Sequence, residues 1–207
     1  MLRVGLTGSI GVGKTFVAGV LAELGCRVLD ADQTAREVVA PGSPGLNAVV
    51  QEFGQEMLND DGNLNRQKLA AVVFADQKKR QRLNEILHPY IIARQDDQLR
   101  QWEAQEPDGI GVIDAALMIE SGGYKRVDKL IVVHCRPDVQ LERLMTRNGL
   151  SAGEAQQRVA AQMPQEEKKK FGDYLIDTSD GFDQARQNTE IVYAELRTLT
   201  SARLIRS

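Results

Sequence analysis

Residues 8–15 have the sequence GSIGVGKT and fit the pattern G-x-x-x-x-G-K-[ST]. Glycines let the backbone turn so that successive N–H groups face inward around a phosphate group. Lys14 is a flexible cation able to reach the β- and γ-phosphates of a nucleotide, and the Thr15 hydroxyl is a ligand for Mg²⁺. The stretch therefore predicts a loop that binds a nucleoside triphosphate. We expect nucleotide contacts from Gly8, Gly11, Val12, Gly13, Lys14, Thr15 and Phe16.

Acidic residues follow two further strand-like runs, at the edge where open parallel sheets bind their ligands. Asp30 and Asp32 come at the end of the run 26–29, and Asp114 follows the run 110–113. A carboxylate there can accept a proton from an attacking hydroxyl or hold Mg²⁺ through water. It can equally cap the next helix or simply end a strand. The residues alone leave both alternatives open.

Two arginines, Arg143 and Arg147, are one helical turn apart and share a helix face. They belong to residues 138–169, a stretch predicted to form short helices, one of them starting at the capping box Ser151–Glu154. On a mobile lid, these arginines would neutralise charge as a γ-phosphoryl group moves. On an ordinary surface they would form salt bridges. The run Glu166–Lys170, EEKKK, is predicted to be a solvated helix face.

Short apolar runs alternate with helix-like patterns along the chain. Continuous apolar runs are typical of strands that are covered on both faces, and the alternation predicts a parallel sheet with right-handed crossovers. We therefore predict an α/β fold of the P-loop NTPase type, with a five-stranded parallel sheet flanked by helices. The predicted strands are 2–6, 26–29, 110–113, 130–134 and 174–176.

The stretch between the second and third strands is too long for one crossover helix and has several helical patterns. We interpret residues 33–106 as a helical insertion that binds an acceptor, and residues 138–169 as a small helical lid. The nucleotide-binding core then consists of residues 1–32, 107–137 and 170–207.

Composition excludes several classes of protein. The 207 residues have a net charge of −3, which argues against a large basic surface for nucleic acid. No apolar run approaches the ~18 residues of a membrane helix, and the N-terminus enters a strand pattern without a secretory signal. Cys26 and Cys135 are far apart in apolar runs, so we expect two buried thiols and a reducing, cytoplasmic compartment. We expect a monomer or a small homo-oligomer.

Three classes of phosphate-binding protein compete. A GTPase is disfavoured, because no N-K-x-D motif occurs and the D-x-x-G match at Asp108–Gly111 precedes the third strand. Another small-metabolite or nucleotide kinase of the same fold, and an ATP-dependent switch protein, remain as alternatives to the kinase described next.

The chain resembles the dephospho-CoA kinase family over nearly its whole length. The most specific segment is the DAD motif followed by A-R-E-V-V, together with LHP before Tyr90. The resemblance implies an enzyme of coenzyme A biosynthesis that transfers the γ-phosphoryl group of ATP, with Mg²⁺, to the 3′-hydroxyl of dephospho-CoA. The segments that carry it are GLTGSIGVGKT, VLDADQTAREVV, GNLNRQKLAAVVF, LNEILHPYI, VIDAALMIE, LIVVHCRPDVQLERLMTRNGLS and Gln162.

Residue roles follow from the resemblance. Asp32 is the implied general base, Lys14 and the loop amides hold ATP, and Arg143 and Arg147 belong to the lid. Asp114 is a further candidate for Mg²⁺. The implied contacts to the acceptor are Asp30, Arg36, Arg66, His88 and Glu120.

The chain departs from the family pattern at two places. Ala116 occupies a position where the family usually has proline, so its backbone gains an N–H and loses a fixed φ. Thr178, Ser179 and Asp180 stand where the family tends to have asparagine and glycine. That second segment resembles the one passing near the adenine, so the base-contacting residues are left unassigned.

Overall fold

One five-stranded parallel sheet forms the centre of the computed structural model, which describes residues 1–204. The sequence prediction of this fold is confirmed, with each strand end within two residues of its predicted position. The strands are β1 (Leu2–Gly8), β2 (Arg27–Asp30), β3 (Ile110–Asp114), β4 (Lys129–His134) and β5 (Tyr174–Asp177). Their order in the sheet is β2-β3-β1-β4-β5. Strand β1 therefore lies at the centre, and the loop that follows it emerges in the middle of the carboxyl edge.

Helices make up most of the remaining described chain, with two short 3-10 helices at Gln55–Met57 and Gly123–Arg126. The α-helices are α1 (Lys14–Glu23), α2 (Ala31–Glu37), α3 (Pro44–Phe53), α4 (Arg66–Ala75), α5 (Gln77–Gln105), α6 (Pro137–Asn148), α7 (Ala152–Ala160), α8 (Gln165–Lys169) and α9 (Phe182–Leu204). Within residues 1–204, no helix combines the length and the apolar character needed to cross a membrane.

The chain divides into two compact units. The first consists of Met1–Leu29 and the chain from Trp102 onward, and it contains a core of apolar side chains from the sheet, α1 and α9. Leu6, Ile131 and Ile176 are fully buried there. Burial of each such side chain contributes about 1.5–3 kcal/mol, which explains the continuous apolar strands.

The second unit, Asp30–Gln101, is helical and has its own core. Its helices begin at identifiable caps: the Ser43 hydroxyl accepts from the Leu46 amide before α3, and the Asn65 side chain accepts from the Lys68 amide before α4. A turn at residues 60–63 lies between α3 and α4. Its core side chains are Val39, Leu46, Val49, Met57, Leu64, Leu69 and Val73.

Both cysteines are free and buried, as predicted. Burial raises the pKa of the Cys26 thiol to about 12, and burial also raises the pKa of Cys135. Because a thiol that stays protonated is a poor nucleophile, these residues act as small apolar side chains.

Candidate active site

The predicted phosphate-binding loop connects β1, which ends at Gly8, to α1, which begins at Lys14. Gly13 precedes α1 with a φ of 85°, a conformation that side-chain-bearing residues rarely adopt. The amides of Phe16 and Val17 both donate to the Gly13 carbonyl, at 3.0 and 3.3 Å. No side chain of the described residues caps this helix end. Since the first amides of a helix lack intrahelical partners, α1 presents N–H donors and the positive end of its dipole to an anion.

Lys14 forms an ion pair with Asp114, the last residue of β3. Asp114 is paired in register with Leu6 of the central strand, two residues before the end of β1, from which the loop emerges. Both side chains are largely shielded from water, with 19% and 13% of their surfaces exposed. Thr15, the next residue of α1, is exposed. The first turn of α1 therefore pairs a cation with the carboxylate at the end of β3, and it carries an exposed hydroxyl at the next residue.

Arg143 reaches the end of the sheet beside this loop. Its guanidinium donates to the Thr178 hydroxyl at 2.9 Å and to the Thr178 carbonyl at 2.6 Å. The Thr178 hydroxyl in turn donates to the carbonyl of Val12 at 2.7 Å. Arg147, the second predicted arginine, is exposed and donates to the side chain of its neighbour Asn148. In the sequence, Thr178 is distinguished only as a departure from the family pattern, whereas in the structure it links Arg143 to the loop.

Lys168 corrects the prediction for the run 166–170. The run was expected to be a solvated helix face, but the Lys168 side chain is completely buried. Its ammonium lies 2.9 Å from a Glu120 carboxylate oxygen and donates to the Ala116 carbonyl at 2.7 Å. Glu120 also accepts from the Met163 amide at 3.3 Å. The prediction holds for Glu166, Glu167 and Lys170, which are exposed, and is wrong for Lys168, because the sequence pattern contains no sign of a partner nearly 50 residues away.

Removing this buried ammonium is expected to destabilise the protein. Lys168→Met keeps the length of the side chain but leaves Glu120 without its cation, so we expect the free energy of unfolding to fall by about 1–3 kcal/mol, less than for a fully buried pair. Urea denaturation followed by circular dichroism measures this change. Lys170→Met is the matched control, because Lys170 is exposed and forms its ion pair with Glu167, three residues earlier and also exposed. Equal stability of both variants would contradict a structural role for Lys168.

The second unit carries the predicted acceptor-side residues. The Asp30 carboxylate caps α2 by accepting from the amides of Asp32 and Gln33, at 2.7 and 3.1 Å. Helix α2 therefore begins at Ala31, and Asp32 lies exposed in its first turn. The Arg66 guanidinium donates to the Arg36 carbonyl at 3.4 Å, so these two predicted residues are neighbours.

The last predicted acceptor contact in this unit, His88, is exposed on α5, immediately before Pro89. The roles of these residues toward a substrate stay predictions.

Comparison with known proteins agrees with this arrangement. The family model described as dephospho-CoA kinase matches residues 2–184. A dephospho-CoA kinase of Streptomyces avermitilis is 41% identical over 197 residues, which cover 95% of this chain and 94% of that relative.

Solved structures show the same similarity. A dephospho-CoA kinase from Campylobacter jejuni superposes with a TM-score of 0.72 and 25% identity, covering 95% of this chain and 97% of that one. The structure of TT1252 from Thermus thermophilus gives a TM-score of 0.79 at 29% identity, covering 94% and 97%. With the loop, the sheet order and a family match over most of its length in agreement, this chain belongs to the dephospho-CoA kinase family.

Proposed function

We propose that this protein transfers the γ-phosphoryl group of ATP to the 3′-hydroxyl of dephospho-CoA, giving CoA and ADP in coenzyme A biosynthesis. The observation that supports this most is the glycine loop at residues 8–15, whose Lys14 forms an ion pair with Asp114. The chain also belongs to the dephospho-CoA kinase family. In the reaction, the 3′-oxygen forms a bond to the γ-phosphorus. The bond from that phosphorus to the β–γ bridging oxygen breaks, and ADP leaves with the bond's electron pair.

The loop and Lys14 hold the triphosphate in this proposal. Backbone N–H groups of the loop surround the phosphates, while the ammonium of Lys14 neutralises the β- and γ-oxygens. Because Lys14 is already partly shielded from water, its charge interacts more strongly with phosphate than an exposed lysine would. Arg143 and Arg147 add positive charge near the γ-phosphoryl group. In the transition state this group is only loosely bonded to both the attacking 3′-oxygen and the leaving β–γ bridging oxygen.

The donor set at the loop also fits Mg²⁺. This ion prefers oxygen ligands and is usually bound by one or two protein groups together with substrate phosphates. The exposed Thr15 hydroxyl and the Asp114 carboxylate are oxygen donors at the loop. We propose that these two residues hold Mg²⁺, which when bound supplies positive charge to the phosphate oxygens.

Asp32 is the proposed general base. A carboxylate that accepts the proton of the 3′-hydroxyl raises the nucleophilicity of its oxygen as the new bond forms. The Asp30 carboxylate accepts a hydrogen bond from the Asp32 amide, and this bond stabilises the first turn of α2. We propose that the helical unit binds the acceptor through Asp30, Arg36, Arg66 and His88, with Glu120 as a further contact.

The cellular setting is also proposed. We propose a cytoplasmic enzyme that acts as a monomer or a small homo-oligomer on two small-molecule substrates, without nucleic acid or membrane.

Acceptor preference tests the proposal. The purified protein is mixed with ATP, Mg²⁺ and dephospho-CoA, AMP or no acceptor, and ADP release is measured by a coupled assay. We expect dephospho-CoA to be used at least about 10²-fold faster than AMP, the discrimination expected of a site that hydrogen-bonds its substrate. Preference for AMP would indicate a nucleotide kinase, and slow hydrolysis with no acceptor preference would indicate a switch protein. Either result would contradict the proposal.

A further inference from the structure

Both backbone polar groups of Ile10, at the tip of the phosphate-binding loop, are bound by glutamine side chains. The Ile10 amide donates to the Gln162 carboxamide oxygen at 2.8 Å. The Gln140 carboxamide nitrogen donates to the Ile10 carbonyl at 2.6 Å. Gln140 is buried, with only 2% of its surface exposed. Because Gln140 is buried, replacement of its bond to Ile10 by water would require the loop or helix α6 to move.

A third glutamine fixes the direction of this network. The Cys135 amide donates to the Gln165 oxygen at 3.0 Å, so the Gln165 nitrogen is left as a donor, and it donates to the Gln140 oxygen at 2.8 Å. The Gln140 nitrogen must then face the Ile10 carbonyl, which can only accept. One assignment of oxygen and nitrogen therefore satisfies every amide group. The chain of bonds runs from the end of β4 to the tip of the loop.

Packing joins the same elements. A Cβ atom placed on Gly11 would lie 2.9 Å from the Leu144 side chain of α6, so the loop and this helix are in close contact. The Ser9 hydroxyl also donates to the Met163 carbonyl at 3.4 Å. The residues that contact the loop thus come from α6 and from residues 162–165.

We infer that Gln140 and Gln162 are positioning residues that hold the loop in the conformation that accepts a triphosphate. They do not touch phosphate; they act through Ile10. A loop that is already ordered loses less conformational entropy when ATP binds, so the network raises the affinity for ATP. It does not contribute to the affinity for the acceptor. This inference rests on the proposed function, in that ATP is the nucleotide bound.

Amide exchange and substrate affinities test the inference together. In the nucleotide-free protein, the exchange rate of the Ile10 amide is measured by NMR for the wild type, Gln162→Met and Gln162→Glu. Methionine removes the acceptor, so we expect exchange about tenfold faster, whereas glutamate keeps an acceptor and should restore slow exchange. Gln157→Met is the matched control, because Gln157 is an exposed glutamine of α7.

Binding is measured by calorimetry for both substrates. Gln140→Met and Gln162→Met each remove one hydrogen bond to Ile10, so they are expected to raise the Kd for ATP about 3- to 10-fold and to leave the Kd for dephospho-CoA within about twofold. Gln140→Met also loses the bond from Gln165, which does not reach the loop. Unchanged Ile10 exchange with unchanged ATP affinity would overturn the inference, as would equal weakening of both substrates. Failure of the wild type to make CoA would contradict the proposed function instead, while the Ile10 exchange rates and the ATP affinities would still decide the role of the glutamines.

Discussion

Lys14→Met is expected to lose ATP affinity and turnover together, with kcat/KM falling on the order of 10²–10³-fold, as when one preorganised donor to a developing charge is removed. Two effects add. The ammonium that neutralises the triphosphate is gone, and the negative charge of Asp114 no longer has the Lys14 ammonium beside it. Kinetics with varied ATP, together with calorimetric ATP binding, measure both quantities.

A second variant separates these two effects. In Lys14→Met combined with Asp114→Asn, the negative charge of Asp114 is removed as well, so the affinity for ATP measured without Mg²⁺ should recover in part, while turnover with Mg²⁺ stays low. Circular dichroism and the thermal midpoint check that both variants fold. Survival of normal ATP affinity and normal turnover in Lys14→Met would show that the loop does not bind the triphosphate as described.

Asp32→Asn is expected to fold normally and bind ATP normally, yet lose kcat by about 10²–10⁴-fold, the range for a lost general base. Asparagine keeps the size of the side chain but cannot take the proton of the 3′-hydroxyl. Because Asp32 is exposed and only its backbone amide takes part in the cap of α2, the substitution should leave that helix intact. Single-turnover kinetics with saturating ATP and dephospho-CoA measure the chemical step.

Glu37→Gln is the matched control for Asp32→Asn. Glu37 is an exposed acid of the same helix and pairs with Arg94, so its loss removes a negative charge from α2 without touching the proposed base. We expect turnover close to that of the wild type. If Asp32→Asn also turns over near the normal rate, another group accepts the proton.

The sheet and the loop could be predicted because their signals are local. Predicted runs of three to five residues marked the position of each strand, and glycine spacing marked the turn at residues 8–15. The burial of Lys168 could not be predicted, because the EEKKK pattern is typical of an exposed helix and the buried ammonium needs Glu120 as its partner. The same limit applies to Gln140, whose bond to Ile10 joins residues 130 positions apart. A glutamine has no periodic pattern that would reveal such a contact.

The two departures from the family pattern show what the structure adds. Ala116 stands where the family usually has proline, so the segment was expected to lack the restraint of a fixed φ. Its carbonyl accepts from both the Thr7 hydroxyl and the Lys168 ammonium, which restrains the same segment by hydrogen bonds. At the other place, Thr178 bonds both Arg143 and the Val12 carbonyl. The hydrogen bonds that Ala116 and Thr178 form depend on residues far away in the sequence, so the local sequence could not predict them.

The fate of a labelled phosphoryl group tests the central claim most directly. The wild type is incubated with dephospho-CoA, Mg²⁺ and ATP that carries ¹⁸O in its γ-phosphoryl group, and the product is analysed by mass spectrometry and ³¹P NMR. The proposal predicts a product that has gained one labelled phosphoryl group on the ribose 3′-oxygen, formed in equal amount to ADP. Label found only in inorganic phosphate, or on any other position of the acceptor, would contradict it.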